Sequence, residues 1–315
     1  MQILSAMKRH WQLFQMKMEI LTMSTFKNLR QPPKPPQSLT VTNIAKDSAT
    51  LSWLGDNGDV SLNDIVIAEN VSSPYIVNNL SSNTEYAVKV KNRGGESDEV
   101  TFKTKEITYE EVTVTCDFKN KTTGSVVENP HSAFYIWQSA SVQLPSAAWI
   151  ELGSTGSSNY SRISDLDEVV QSIATAATAS AHIAQFKFKY NVIEAIERYD
   201  SDYFSSRGAT TIEEKIIVAR TEIITIINNV WGYGSAPSST YMAVRYWSIS
   251  ASWTGSAVVS GTTVKQATET IDAANIDDQG FISVIAYTAA SDATKASAVS
   301  IDYPSLDITF LVEED

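Results

Sequence analysis

Residues able to do chemistry are few in this 315-residue chain. It has three histidines, His10, His131 and His182, and a single cysteine, Cys116. Nucleophilic hydrolysis requires a hydroxyl or thiol held beside an imidazole base. The histidines lie far apart in sequence, and no G-x-S-x-G elbow occurs. His131 follows Asn129-Pro130 and reads as a turn residue. Cys116 falls at the inward phase of a strand and reads as a small core side chain. One thiol rules out an intrachain disulfide and a cysteine zinc site, and it suits synthesis in a reducing compartment.

Paired carboxylates are the other route to catalysis, and two acidic clusters occur, Asp165-x-Asp167-Glu168 and Asp200-x-Asp202. Helix N-terminal acids and solvated turns account for both. The twelve-residue calcium loop with its closing Glu is missing, and so are Gly-rich phosphate loops of the Walker or Rossmann type. The expectation is a non-enzyme without metal or cofactor. Aromatic residues are more suggestive: Trp137, Trp149, Trp231, Tyr233, Tyr241, Tyr246, Trp247 and Trp253 all fall in the larger, C-terminal region. Flat aromatic faces suit saccharides, although a large sandwich also buries tryptophan in its core. Trp231 and Tyr233, flanked by glycines in an expected loop, are the candidate glycan contacts.

The elements that must position these residues read as mainly β: an N-terminal arm, a β-sandwich, then a larger antiparallel, jelly-roll-like sandwich with one or two short helices. The formal charge of −12 is uneven, because residues 1 to 36 carry six Lys/Arg against the single Glu19. The acidic body should repel nucleic acid and anionic lipid. No stretch approaches the ~18 apolar residues of a membrane span. Within the arm, Ile3, Met7, Trp11, Phe14, Met18 and Leu21 recur at steps of three and four, which predicts an amphipathic helix. Lys8, Arg9, His10 and Lys17 interrupt any signal-peptide core. Met18-Glu19 requires the purine-rich codons ATGGAR, so translation from Met23 competes with translation from Met1. The arm is either a solvated tail or a contact for an acidic neighbour.

Gln31-Pro-Pro-Lys-Pro-Pro-Gln37 is a stiff linker, and a domain begins after it, over residues 37–105. Period-two alternation follows at Leu39 and Val41, at Ala49, Leu51 and Trp53, at Ile65 and Ile67, and at Tyr86, Val88 and Val90. Asp56-Asn-Gly58 and Arg93-Gly-Gly95 supply turns. Pro35-Pro36-x-x-Leu39-x-Val41, Leu51-x-Trp53 and Leu80-x-x-x-Thr84-x-Tyr86-x-Val88-x-Val90-x-Asn92, with Gly95-x-Ser97, resemble a fibronectin type III domain over about residues 35–104. The resemblance implies that Trp53 fills the core and that Tyr86 forms a corner whose hydroxyl bonds back to the chain. The short stretch between Trp53 and Leu80 points to a trimmed middle strand, and no Arg-Gly-Asp occupies Lys91 to Ser97.

Residues 106–315 read as one further domain, opening on Val112, Val114, Cys116 and Phe118. Strands are expected around Phe186–Val192, Phe281–Tyr287, Ala298–Tyr303 and Leu306–Phe310. Thr211-x-x-Glu214 is a capping box that predicts a helix from about 212, ending before Asn228-Asn229. Ser164 with its following acids predicts a second helix. From Trp231-Gly-Tyr-Gly-Ser-Ala-Pro237 through Tyr241–Trp247 to Phe281–Tyr303, residues 205 to 312 are similar to C-terminal β-sandwich regions of virion proteins from tailed bacteriophages of Gram-positive hosts. That resemblance implies a virion component in the head, collar or tail, made in the bacterial cytoplasm. It also implies a homo-oligomer that contacts other virion proteins through the arm and possible host cell-wall glycan. The alternative is a carbohydrate-binding or cell-wall adhesion module.

Overall fold

The computed structural model describes residues 11–18, 33–154 and 159–314. The chain divides into two compact units, Met1–Thr108 and Tyr109–Asp315. The mainly β character expected from the alternation is what the chain shows.

In the first unit, residues 11–18 form a helix, α1, whose side chains are all exposed. The rest of the predicted arm helix, with His10 and Met23, lies outside the described residues. Eight strands follow: β1 (Gln37–Thr42), β2 (Ala49–Leu54), β3 (Gly58–Leu62), β4 (Ile65–Val71), β5 (Tyr75–Val77), β6 (Glu85–Asn92), β7 (Gly95–Glu96) and β8 (Val100–Lys103). They form two antiparallel sheets, β1-β2-β5 and β4-β3-β6, with β7 and β8 both pairing with β6. Leu39, Leu51, Trp53, Val60, Val88, Val90 and Phe102 make the core between them. Trp53 is buried, and its indole N–H donates to Asp56 O at 3.2 Å. Asn63 and Asp64, both at positive φ, form the two-residue hairpin from β3 to β4, a conformation that Asn and Asp tolerate better than most residues. The shortest strand between Trp53 and Leu80 is β5, with three residues.

In the second unit the strands are β9 (Tyr109–Cys116), β10 (Ser132–Ser139), β11 (Ile150–Glu151), β12 (Gln171–Ala174), β13 (Ile183–Asn191), β14 (Ile223–Ser235), β15 (Tyr241–Trp247), β16 (Trp253–Thr254), β17 (Val258–Ser260), β18 (Lys265–Ile271), β19 (Phe281–Tyr287) and β20 (Ala298–Glu313). One sheet runs β11-β10-β13-β19-β15-β16, with β17 also on β15. The other runs β12-β20-β14-β18, with β9 on β20. Inward residues of the first sheet, Phe186, Phe188, Val284 and Val244, meet Ile226, Val230, Ile308 and Phe310 of the second. Each fully buried side chain of this kind contributes about 1.5–3 kcal/mol.

Two α-helices interrupt the strands: one is not expected from the sequence, and the other starts at the expected capping box. α2 (Val192–Tyr199) has no counterpart in the sequence reading; Asn191 ends β13 and caps the helix by accepting Glu194 N–H at 3.1 Å. α3 (Ile212–Glu222) has the expected capping box: Thr211 Oγ1 accepts Glu214 N–H, and Glu214 Oε2 accepts Thr211 N–H at 2.9 Å. It ends at Glu222, six residues short of Asn228, and passes directly into β14. The β-branched run Ile223-Ile-Thr-Ile-Ile227 favours the pleated strand, and Ile226 enters the core. The helix expected after Ser164 does not form, and residues 164–170 are bends and loop. The carboxylate of buried Asp302 takes the N–H groups of Asp167 and Glu168, and Glu168 sits at positive φ, which no helix allows.

Candidate functional site

Trp231 and Tyr233 lie within β14, not in the loop that their glycine neighbours imply. From Ile226 onward the even-numbered residues of this strand, including Val230, Gly232 and Gly234, are buried, whereas Trp231, Tyr233 and Ser235 are half-buried. The glycines have a steric origin: a Cβ on Gly232 would stand 2.4 Å from Ser300 O, and one on Gly234 would stand 2.1 Å from Tyr241 O. Small residues pointing inward thus let β14 pack closely while the aromatics between them point outward.

Around these aromatics the outer face of the second sheet carries a continuous polar ladder. Thr115 on β9 donates to Asp307 Oδ1 at 2.7 Å, and Asn229 Nδ2 donates to Asp307 Oδ2 at 3.0 Å. Asn229 Oδ1 in turn accepts from Gln266 Nε2 at 2.9 Å and Thr268 Oγ1 at 3.0 Å. Trp231 is paired with Tyr303 of β20, their rings 5.5 Å apart and tilted at 44°. Tyr303 donates its phenol proton to Asp117 Oδ2 at 3.1 Å; burial, then the Asp117 carboxylate, pushes that phenol up from its ordinary value. Ser172 and Ser300 hydroxyls meet at 2.7 Å at the Tyr233 end, where Tyr233 pairs with Ser300. The result is a sheet face on which half-buried aromatic rings, hydroxyls and a carboxylate are held in fixed positions by the buried Asn229 and Ser300 side chains. Such a surface can stack on the apolar face of a sugar ring and exchange hydrogen bonds with its hydroxyls.

Tyr303 does not stand out from the sequence, although a signal for it exists. The inward phase set by Val299 and Ile301 resumes at Leu306, Ile308 and Phe310, which requires an odd step between 301 and 306. The structure shows that step as an irregularity between Trp231 and Gly232, opposite Asp302. Its effect is to bring Tyr303 onto the Trp231 side.

The remaining aromatics have other partners. Trp149 Nε1 donates to Leu144 O at 2.9 Å, and Trp253 Nε1 donates to Gln143 O at 2.8 Å. Both hold the 140–149 loop over the outer side of the first sheet, where Gln185 accepts Gln143 N–H and Lys187 Nζ donates to Pro145 O at 2.9 Å. Lys187 is buried between the Phe134 and Trp149 rings, 4.5 and 5.0 Å from their centres, and burial lowers its amine to about 8. Trp137 stacks on Tyr135, and Trp247 packs edge-on to Trp253. Tyr246 packs against the core.

The groups considered for catalysis do not converge. Cys116 is buried in the core, where burial, then Asp117, raises its thiol well above the ordinary value. His131 Nδ1 accepts Asn191 N–H at 3.0 Å, and burial, then the charge of Lys121, pulls the imidazole down to about 3. His182 is tied by its main chain to Ser291, whose Oγ takes the His182 N–H at 3.1 Å. Asp165 pairs with Lys119 at 3.5 Å, while Asp200 accepts the N–H of Asp202 in a tight turn. Among the described residues no three His, Cys, Asp or Glu side chains gather as a metal site. Among them, too, no helix is long and apolar enough to cross a membrane.

Comparison with known proteins bears mainly on the first unit. No curated protein matches the chain in sequence. Among the solved structures that align, two have low identity: one of carbohydrate-binding modules from the β-sandwich superfamily (10% identical, 86% of this chain and 96% of that chain, TM-score 0.20) and one of the chicken CNTN1 FN1-FN3 domains (10% identical, 87% and 100%, TM-score 0.17). A TM-score this low denotes no shared arrangement, and neither neighbour bears on function. Residues 34–115 match the family model for the fibronectin type III domain; the match runs into β9, which pairs with β20 of the second unit. Tyr86 agrees with that family, since its hydroxyl accepts Ser81 N–H at 2.8 Å and its ring stacks on Phe102. The chain therefore carries a fibronectin type III domain ahead of a larger β-sandwich.

Proposed function

We propose that the protein is a non-catalytic structural component of a tailed bacteriophage particle. In this reading the arm joins it to neighbouring subunits, and the second sandwich contacts glycan on the host surface. The observation that carries the surface-contact half is the outer face built on Trp231, Tyr233 and Tyr303, with its Thr115–Asp307–Asn229–Thr268 ladder. Its hydrogen-bonding side chains are fixed before any ligand arrives, so binding costs little side-chain entropy. The particle half is supported by the resemblance of residues 205 to 312 to phage virion proteins and by a basic arm joined to an acidic body.

The non-catalytic reading is supported by how the reactive groups are used. The thiol is buried and protonated, and the one deeply buried imidazole among the described residues is committed to a main-chain N–H. Two experiments separate the halves of the proposal. Full-length protein should co-sediment with Gram-positive cell-wall fragments, and Trp231→Ala should weaken this at least about tenfold, the usual cost of losing an aromatic anchor. Equal sedimentation of the variant would refute the glycan face. Mass spectrometry of purified particles should find the chain; its absence would refute the virion assignment.

A further inference from the structure

Residues 140–149, which have no regular structure, cover part of the outer side of the first sheet of the second unit. Polar contacts tie the segment to that sheet. Gln185 Oε1 accepts Gln143 N–H at 2.9 Å, and Gln185 Nε2 donates to Ser141 O at 2.8 Å. The Trp253 indole donates to Gln143 O, and Lys187 Nζ donates to Pro145 O. Leu144, the largest aliphatic side chain of the segment, is 56% exposed. A crevice of about 300 Å³ runs beside it, lined by Ile136, Trp137 and Ser139 of β10 and by Gln143 and Ala148 of the segment itself. A segment held by hydrogen bonds, with little buried apolar surface, opens at lower free-energy cost than the sheet beneath it.

Lys187 lies under this cover, 7% exposed, with Nζ between the Phe134 ring of β10 and the Trp149 ring of the segment. No group packed around it neutralises its charge. Residues 140–149, β10 and β16 bring no charged side chain, and Tyr135 of β10 points into the core. Lys189 of β13 adds a like charge, held over the Phe281 ring at 3.8 Å. β19 brings the Tyr287 phenol, and β15 brings Arg245, which donates to Val244 O and Ala257 O. Glu151 of β11 is opposite Phe134, and its carboxylate is occupied by the Gly124 N–H and the Tyr160 hydroxyl. The ammonium has therefore lost hydration without gaining a counter-ion, and burial, then Lys189, lowers the amine from 10.5 to about 8.

We propose that residues 140–149 form a proton-linked cover, which closes over Lys187 when the amine is neutral and lifts when the amine takes up a proton. Lifting moves Pro145 and the Trp149 ring off Nζ and returns it to water, where an amine keeps its proton up to about 10.5. The open form thus binds the proton more tightly, so by linkage acid favours opening and alkali favours closure. The opening equilibrium should fall about tenfold from pH 7 to pH 9, as Lys187 of the closed form loses its proton. Opening bares Phe134 and Lys187 on the first sheet, so this device is independent of the Trp231 face and of the virion assignment.

Hydrogen exchange of full-length protein at pH 7 and pH 9, corrected for the intrinsic rate at each pH, tests this in peptides covering 140–149. Wild-type protection there should rise about tenfold at pH 9, while peptides of β19 and β20 keep theirs. Lys187→Met, which keeps the stem and removes the proton site, should give the same protection at both pH values. Lys187→Arg, charged at both, should give low protection at both. Trp253→Phe, which removes the indole donor to Gln143 O, should lower protection at both pH values and leave the tenfold ratio in place. Wild-type protection that does not change with pH, a pH response that survives Lys187→Met, or a parallel change in β19 and β20 would each overturn the proposal.

Discussion

His131 Nδ1 accepts the main-chain N–H of Asn191 at 3.0 Å, at the residue where β13 ends and α2 begins. The ring is also packed against Phe118 and Tyr190, so it is held neutral inside the second sandwich. With its folded value near 3 and its unfolded value near 6.5, the unfolded chain binds the extra proton between those limits. Stability contributed by the neutral ring is therefore complete above about pH 6.5 and lost as pH falls toward 3. At pH 5 the loss amounts to about 2 kcal/mol. Urea unfolding at pH 7 and pH 5 should show this difference in wild type. His131→Gln, which keeps an acceptor but not the proton site, should show it reduced; an equal pH dependence in the variant would contradict the account.

Tyr86 and Ser81 make the corresponding anchor in the first unit. Tyr86→Phe retains the ring contact with Phe102 at 5.7 Å and removes only the acceptor of the Ser81 N–H. The expected cost is about 1–2 kcal/mol. Hydrogen exchange followed by mass spectrometry should show faster exchange in peptides covering β6 and β8, with β13 and β19 unchanged. Uniform protection across the variant would mean that the corner contributes nothing.

Glu214 closes the capping box of α3 and also takes the N–H and hydroxyl of Thr210. Those three contacts hold its carboxyl below the ordinary range. Glu214→Ala should lower stability at neutral pH, because the Thr211 and Thr210 N–H groups lose their acceptor. In wild type this contribution is present above the ordinary carboxyl value and disappears as pH falls through the lowered one, so wild type and variant should converge in acid. Thermal melts at pH 7 and pH 3 check both statements.

What the sequence reveals depends on whether the determinant is local. The alternation of Leu51 and Trp53, the Tyr86 spacing and the Thr211–Glu214 box are each readable within a few residues, and each has its counterpart in the structure. The Ser164 segment misleads because its fate is set by Asp302, more than 130 positions away, which captures the amides that a helix would use. Likewise, Trp231 and Tyr233 stand out as unusual but read as loop residues, since the glycines at 232 and 234 are locally a turn signal. Only the close passage of β20 and β15 shows that these glycines are packing residues, and only the register with β20 brings Tyr303 to Trp231. The candidate site is thus visible in the sequence as two of its members and not as a surface.

The Trp-Gly-Tyr-Gly alternation of β14 makes a prediction in which packing and display are coupled. Neither Gly232 nor Gly234 is at positive φ, so backbone strain does not demand glycine; space does. A methyl at 232 would meet Ser300 O at 2.4 Å, with Met242 and Ile301 just behind, and one at 234 would meet Tyr241 O at 2.1 Å and the Thr288 side chain at 2.9 Å. Backbone oxygens cannot rotate away, so β14 must shift relative to β20 or β15. Overpacking of this kind costs about 1–3 kcal/mol, roughly 2–4 °C of melting temperature per kcal/mol in a domain this large. Gly232→Ala should also displace Trp231 from Tyr303, changing the near-ultraviolet circular dichroism that their coupled rings produce. Trp231→Ala shifts the balance, with loss of that signal and a smaller loss of stability, because the indole is only half-buried. If Gly232→Ala melts like wild type and keeps the aromatic signal, the close passage of β14 against Ser300 is wrong, and with it the steric cause of the outward direction of Trp231 and Tyr233.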